Sequence, residues 1–273
     1  MTPRDIRLIA VDMDGTLLLP DGSIPEGIWP LLGEMAARGI AFAPASGRQL
    51  ATLQQMFARV PGELDYIAEN GAFVVRGDDE VSSDAVDGAV AASLVTRIRG
   101  LVAGGALRAG LVVCGKLSAY VEDTTPEFVA EVEKYYAKLE IVPDLLAVTD
   151  QVLKLAIYDF DGGETHTARA LDDLRATHQV VVSGRHWVDV MNSTVNKGVA
   201  LRDLQRALGV TPAQTAAFGD YLNDVELLQA ADWSYAMADA HPDVAAVARH
   251  RAPSNADAGV VTVIAELLAA SDR

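Results

Sequence analysis

The chain has 273 residues, half of them hydrophobic, and 22 Lys and Arg stand against 38 Asp and Glu for a formal charge of −16. That size suits two domains better than one and allows a sizeable core, while an acidic balance with no dense basic cluster excludes counterion-release binding to nucleic acid and disfavours anionic membrane surfaces. The lone cysteine, Cys114, excludes both an intrachain disulfide and a cysteine-held metal cluster.

Met1 to Asp5 leads into a short apolar run without the long apolar core of a signal peptide, and no 18-residue apolar span follows, so a soluble cytoplasmic protein is expected. Ile6 to Val11 reads as a strand buried on both faces and ends at Asp12-Met13-Asp14-Gly15-Thr16. Residues 26 to 38 predict a helix closed by Gly39, and Ile40 to Pro44 a second buried strand running to Ser46-Gly47-Arg48. A helix to about Arg59, a strand at Asp65 to Ala68 and a tight turn at Asn70-Gly71 into an antiparallel strand, Ala72 to Arg76, come next.

The polar, acidic stretch Gly77 to Asp84 predicts a domain boundary. Beyond it the pattern is a helix (86 to 103), strands at 109 to 114 and 117 to 122, a helix (126 to 138), a strand (152 to 158), a helix (164 to 177) and strands at 179 to 183 and 186 to 191. Short turns at Gly115-Lys116 and Gly184-Arg185 imply hairpins, hence a partly antiparallel sheet with helices on one face. After Asn192 helix and strand alternate again: a helix from Lys197 to Leu208, a strand at Thr215 to Phe218, a helix from Leu222 to Ala231, a strand at Ser234 to Met237 and a last helix over about 257 to 270. The simplest α/β assembly is a doubly wound parallel sheet built from residues 1–83 and 193–273, with 84–192 inserted as a second domain.

The chemistry-bearing residues stand where these strands end. Asp12 and Asp14, two apart and followed by Gly15, fit one loop around a small hard cation, with Asp12 as a nucleophile that forms an aspartyl-phosphate. Asp14 then protonates the leaving alkoxide and takes the proton from attacking water, its main-chain carbonyl serving the metal. An Asp-Gly hairpin turn is the plainer alternative. Ser46, Gly47 and Arg48, between a strand and a helix, can hold phosphoryl oxygens, or Ser46 can simply cap the helix and Arg48 form a salt bridge. Lys197 sits at a helix start, where its charge opposes the helix dipole, so a role in neutralising Asp12 and the transferring phosphoryl group competes with that of a solvated lysine. Asp220 is the second carboxylate for Mg²⁺, Asn223 can reach a phosphate oxygen, and Asp224 can orient Lys197 or the metal shell, although both may be read as capping residues. In the inserted region Lys116, Arg185, His186 and Trp187 are candidates for substrate selection, with turn or packing roles as the alternative. His241-Pro242-Asp243 lacks the spacing of a zinc site.

With Asp-x-Asp-Gly-Thr-Leu at 12–17, Ser-Gly-Arg at 46–48, Asn-Lys-Gly at 196–198, Gly-Asp-x-x-Asn-Asp at 219–224 and Glu-Asn-Gly-Ala at 69–72, the chain resembles the haloacid dehalogenase (HAD) superfamily phosphatases, Cof-type branch, subclass IIB. The resemblance spans essentially the whole chain. It implies a Rossmann-like core with an inserted α/β cap of type C2B, Mg²⁺ dependence and hydrolysis of small phosphate monoesters, such as sugar phosphates; whether the chain is a monomer or homodimer is left open by the sequence. A phosphomutase or phosphotransferase on sugar phosphates would keep the same site, and a non-catalytic phospho-ligand sensor is the alternative outside catalysis.

Overall fold

The structure, a computed structural model, describes residues 5–271. The chain folds into two compact units, one running to Ser82 and resuming at Asn196, the other spanning Ser83–Val195.

The first unit opens with β1 (Leu8–Asp12), all five residues buried, as expected of a strand covered on both faces. It continues through α1 (Ile28–Ala37), β2 (Ala41–Ala45), α2 (Leu50–Met56), β3 (Asp65–Ala68) and its antiparallel partner β4 (Phe73–Arg76). The polar stretch expected to be a boundary loop instead forms β5 (Asp79–Ser83), beyond β4 in the same sheet. Its one apolar residue, Val81, packs on the core, and polar neighbours suit a strand with one side open.

The second unit contains α3 (Gly88–Ala103), β6 (Ala109–Gly115), β7 (Ala119–Val121), α4 (Pro126–Val132), β8 (Leu139–Ile141), β9 (Val152–Asp159), α5 (Thr167–Ala170), β10 (His178–Val182) and β11 (Trp187–Asn192). They form a mixed sheet in the order β10-β11-β9-β6-β7-β8. The helix expected over 126–138 stops at Val132, and Leu139–Ile141 adds a strand, parallel to β7, that is too short for its alternation to be read from the sequence. The helix expected over 164–177 is two short pieces, because the apolar residues Ala168, Leu171 and Leu174 that meet the core recur every three positions, a spacing that suits a tighter turn. Both faces of the sheet carry an apolar cluster, not one: Leu111, Val113, Leu155 and Ile157 pack with Leu94, Val95 and Ile98 of α3, while Val112, Cys114 and Ala156 pack with Phe128 and Val132 of α4.

The chain then completes the first unit with α6 (Lys197–Leu208), β12 (Thr215–Gly219), α7 (Val225–Gln229), β13 (Trp233–Ala236), α8 (Pro242–Val247), β14 (His250–Arg251) and α9 (Gly259–Ser271). The sheet order is β14-β13-β12-β1-β2-β3-β4-β5, parallel from β14 to β3. Succession runs outward in one direction from β1 to β3 and in the other from β12 to β14, so the strand order reverses between β1 and β12. Ligands bind at the carboxyl ends of strands at such a reversal. Leu8 and Ala10 face Leu201, Leu204 and Leu227 of α6 and α7, and on the other face Phe42 meets Phe57, which meets Trp29 of α1.

Asp65, at the start of β3, is buried, and burial raises its pKa to about 6 despite Arg76 across the ladder. The native state therefore binds this proton more tightly than the unfolded chain, so stability is lost as pH rises through the folded pKa. Asp65→Asn is expected to melt above the wild type at about pH 8, with the difference closing towards about pH 4, as read by thermal denaturation at both values.

Candidate active site

Three loops at adjacent strand ends and one helix start supply the site. Asp12 ends β1, Ser46 follows β2, Asp220 follows β12, and Lys197 is the first residue of α6. The Lys197 ammonium is buried between two carboxylates, 2.5 Å from Asp12 Oδ1 and 2.7 Å from Asp224 Oδ1. Its position against the helix dipole is thereby explained, since two anions compensate the unfavourable placement. Asn196 caps the same helix, accepting from the Val199 N–H at 2.8 Å.

Asp224 ties two parts of the site together. One oxygen takes Lys197, and the other accepts the backbone N–H of Asp220 at 3.0 Å and of Tyr221 at 3.3 Å, fixing the loop that carries the Asp220 carboxylate. Thr16 donates to Asp220 Oδ1 at 2.6 Å, joining that loop to the turn after β1. Gly15 makes the approach possible: its φ is +82°, and a Cβ there would lie 2.3 Å from Asp220 Oδ2.

Oxygens of Asp12, Asp220 and Asp224 all lie within 4.8 Å of one another. Three carboxylates against the single ammonium of Lys197 leave two negative charges in a largely buried cluster, and the three offer hard oxygen donors, so the residues fit a divalent cation. The titration behaviour follows from the same crowding. Burial, then the Asp224 charge, raises the Asp12 pKa well above the ordinary carboxylate value while Lys197 opposes the rise. Burial also raises that of Asp220, against the Thr16 hydrogen bond. For Lys197 burial acts downward, but Asp12 and Asp224 outweigh it and the net shift is upward.

Asp14 is not part of the carboxylate cluster. Its exposed side chain is held by Arg48 through two bonds, Nε–Oδ2 at 3.1 Å and Nη2–Oδ1 at 2.6 Å. Ser46 is buried and its Oγ accepts the Arg48 N–H at 3.2 Å. At Gly47 the neighbour is Asn70, whose carboxamide atoms would lie 3.0–3.3 Å from a Cβ. Asn223 is exposed and donates to Asn70 Oδ1 at 3.3 Å. Sequence reasoning passes over Asn70 as a functional residue, although it lies in the Glu-Asn-Gly-Ala segment, because an Asn-Gly pair reads first as a turn.

The candidates in the second unit are not brought together. The Lys116 N–H donates to the Gln151 carbonyl just before β9 begins, whereas Trp187 pairs with Tyr158 at the other end of β9. Lys116 and the Arg185–His186 turn are therefore more than about 20 Å apart along the strands. The chain enters and leaves this unit at the Lys116 end, where Val86 bonds to Val152 and Asn192 to Asp84. His186 and Trp187 are packing residues: His186 Nδ1 donates to the Asp159 carbonyl at 2.7 Å, and both rings lie against Tyr158, with centroids at 5.4 and 5.1 Å. Arg185 is exposed, and its carbonyl accepts the Gly163 N–H.

Comparison with known proteins agrees with this arrangement. The profile of the haloacid dehalogenase-like hydrolases matches residues 9–264, so the chain belongs to that family. Within it, the chain is a phosphatase of the Cof-type, subclass IIB branch, a hydrolase of phosphate monoesters. It is 35% identical to the 5-amino-6-(5-phospho-D-ribitylamino)uracil phosphatase YbjI of Escherichia coli, over 96% of each chain. It is 29% identical to the HMP-PP phosphatase of Cronobacter sakazakii, over 89% of this chain and 88% of that protein. Among solved structures, SMU.1108c of Streptococcus mutans superposes with a TM-score of 0.82 at 27% identity, over 97% of this chain and 99% of the other.

Lys197→Met would leave Asp12 and Asp224 buried without their cation, a change that costs about 3–5 kcal/mol in comparable buried pairs. Without the Lys197 charge that opposes it, the upward shift that burial gives Asp12 grows, so the loss should be larger at about pH 8 than at about pH 5. Chemical denaturation of wild type and variant at the two pH values measures it.

Proposed function

We propose that the protein is a Mg²⁺-dependent phosphatase that releases phosphate from small phosphorylated metabolites by way of an aspartyl-phosphate on Asp12. The observation that carries the reading is the cluster of Asp12, Asp220 and Asp224 with the Lys197 ammonium bonded to the first and last of these. When bound, Mg²⁺ would be held by Asp12, Asp220 and the main-chain carbonyl of Asp14, and would supply charge neutralisation for the transferring phosphoryl group.

The chain's own groups do the rest. Asp12, anchored at Oδ1 by Lys197, attacks phosphorus, and the ammonium, held by Asp224, stabilises the charge that spreads over the equatorial oxygens. Ser46, Gly47 and Asn223 hold those oxygens. Asp14 lies outside the carboxylate cluster, and when its two bonds to Arg48 open its side chain can give a proton to the leaving alkoxide and later take one from water. Asp224 acts by holding Lys197 and the Asp220 loop. The chain's net charge of −16 repels an anionic substrate at long range, and a bound dication beside Lys197 would make the site locally attractive to it.

The relatives' names direct the choice of substrates. 5-Amino-6-(5-phospho-D-ribitylamino)uracil, HMP-PP and common sugar phosphates form a first panel for phosphate release by the purified protein with Mg²⁺. Asp12→Asn is expected to lower kcat at least about a thousandfold, and EDTA to abolish turnover until Mg²⁺ is restored. Activity that survives either treatment would remove the reading. Asp14→Asn should lower kcat/KM, which reports the first step, far more with alkyl phosphates than with p-nitrophenyl phosphate, whose leaving group needs no protonation. Recovery of an isomerised sugar phosphate in place of free phosphate would instead indicate a mutase.

A further inference from the structure

Resting on that reading, we propose that Asn70 is a positioning residue of the phosphate site. Its carboxamide fixes the Gly47 loop on one side and the Asn223 side chain on the other.

The backbone supplies the first observation. Glu69, Asn70 and Gly71 have φ values of +50°, +58° and +101°, three left-handed residues in succession, two of them with side chains. Each such non-glycine residue costs free energy and persists only where its surroundings hold it. Here they do: the Asn70 N–H donates to the Ser46 carbonyl at 2.9 Å and the Glu69 N–H to the Arg48 carbonyl at 3.1 Å. The kink after β3 thus grips the two residues that flank Gly47.

The side chain supplies the second. Glycine would adopt the Asn70 backbone angles without strain, so the asparagine is not required by the turn. Its carboxamide spans two loops far apart in sequence. A Cβ at Gly47 would lie 3.0–3.3 Å from it, close enough that the carboxamide would have to give by a few tenths of an ångström, and it accepts from Asn223 Nδ2 at 3.3 Å. Asn223 is otherwise an exposed side chain with rotamers to lose, and the bond to Asn70 reduces that loss when a phosphate oxygen is taken up. The close approach of Asn70 is thus a reason for glycine at position 47.

Asn70→Gly separates strain from function. It relieves the left-handed backbone and removes the carboxamide, so the melting temperature should stay level or rise while kcat/KM for p-nitrophenyl phosphate falls about tenfold. Calorimetric affinity for inorganic phosphate in Mg²⁺ should weaken by a similar factor. Because Asn70 acts in part through Asn223, Asn70→Gly in an Asn223→Ala background should cost less than it does in the wild type. Unchanged kcat/KM and phosphate affinity in Asn70→Gly would overturn the proposal, as would a loss of activity that tracks a loss of stability, or fully multiplicative effects of the two substitutions. Asp12→Asn in the same assay keeps the two questions apart: if it retains turnover the phosphatase mechanism fails, and the phosphate affinities still decide the role of Asn70.

Discussion

The active end of the first unit depends on one buried ion pair network, the Lys197 ammonium between Asp12 and Asp224. Burying a charge is tolerable only when it is paired and its hydrogen bonds are met. Here the pairing enforces a geometry, because the three residues come from the end of β1, the start of α6 and the turn before α7. Asp224 extends the constraint to Asp220 through two backbone N–H groups, and Asp220 extends it to Thr16. No member of the chain of contacts can shift without stranding a buried charge.

The network is incomplete in charge. One ammonium cannot balance three carboxylates, and the upward shifts at Asp12 and Asp220 come first from burial, to which the neighbouring Asp224 charge adds. A bound dication would relieve such an excess, and three hard oxygen donors suit one. Asp14 stays apart, paired with Arg48 outside the cluster.

The second unit follows a different logic. Its sheet has an apolar cluster on each face, and its hairpin turns lie at opposite ends of β9. Turns that look equivalent in sequence therefore differ in surroundings: the Arg185–His186 turn is packed against Tyr158 and Asp159, whereas Lys116 lies at the end through which the chain enters and leaves.

Strand ends were legible in the sequence because their signals are local. A fully buried parallel strand must be continuously apolar, and the residue after it must bear whatever polar chemistry the sheet offers, so Asp12, Ser46 and Asp220 could be placed from the runs preceding them. Lys197 could be noticed for its unfavourable place at a helix start. Short or irregular elements escaped: β5 and β8 are held by neighbours across the sheet, and the 167–176 segment follows a spacing of three set by the core beneath it. Only the tertiary structure decided that Asp224 takes two backbone N–H groups as well as Lys197, that Asp14 turns to Arg48, and that Asn70 bridges Gly47 and Asn223. Periodicity and turn chemistry report what a residue does for its own segment, whereas these contacts join loops up to about 150 positions apart and exist only once the parallel sheet has set β12, β1 and β2 side by side.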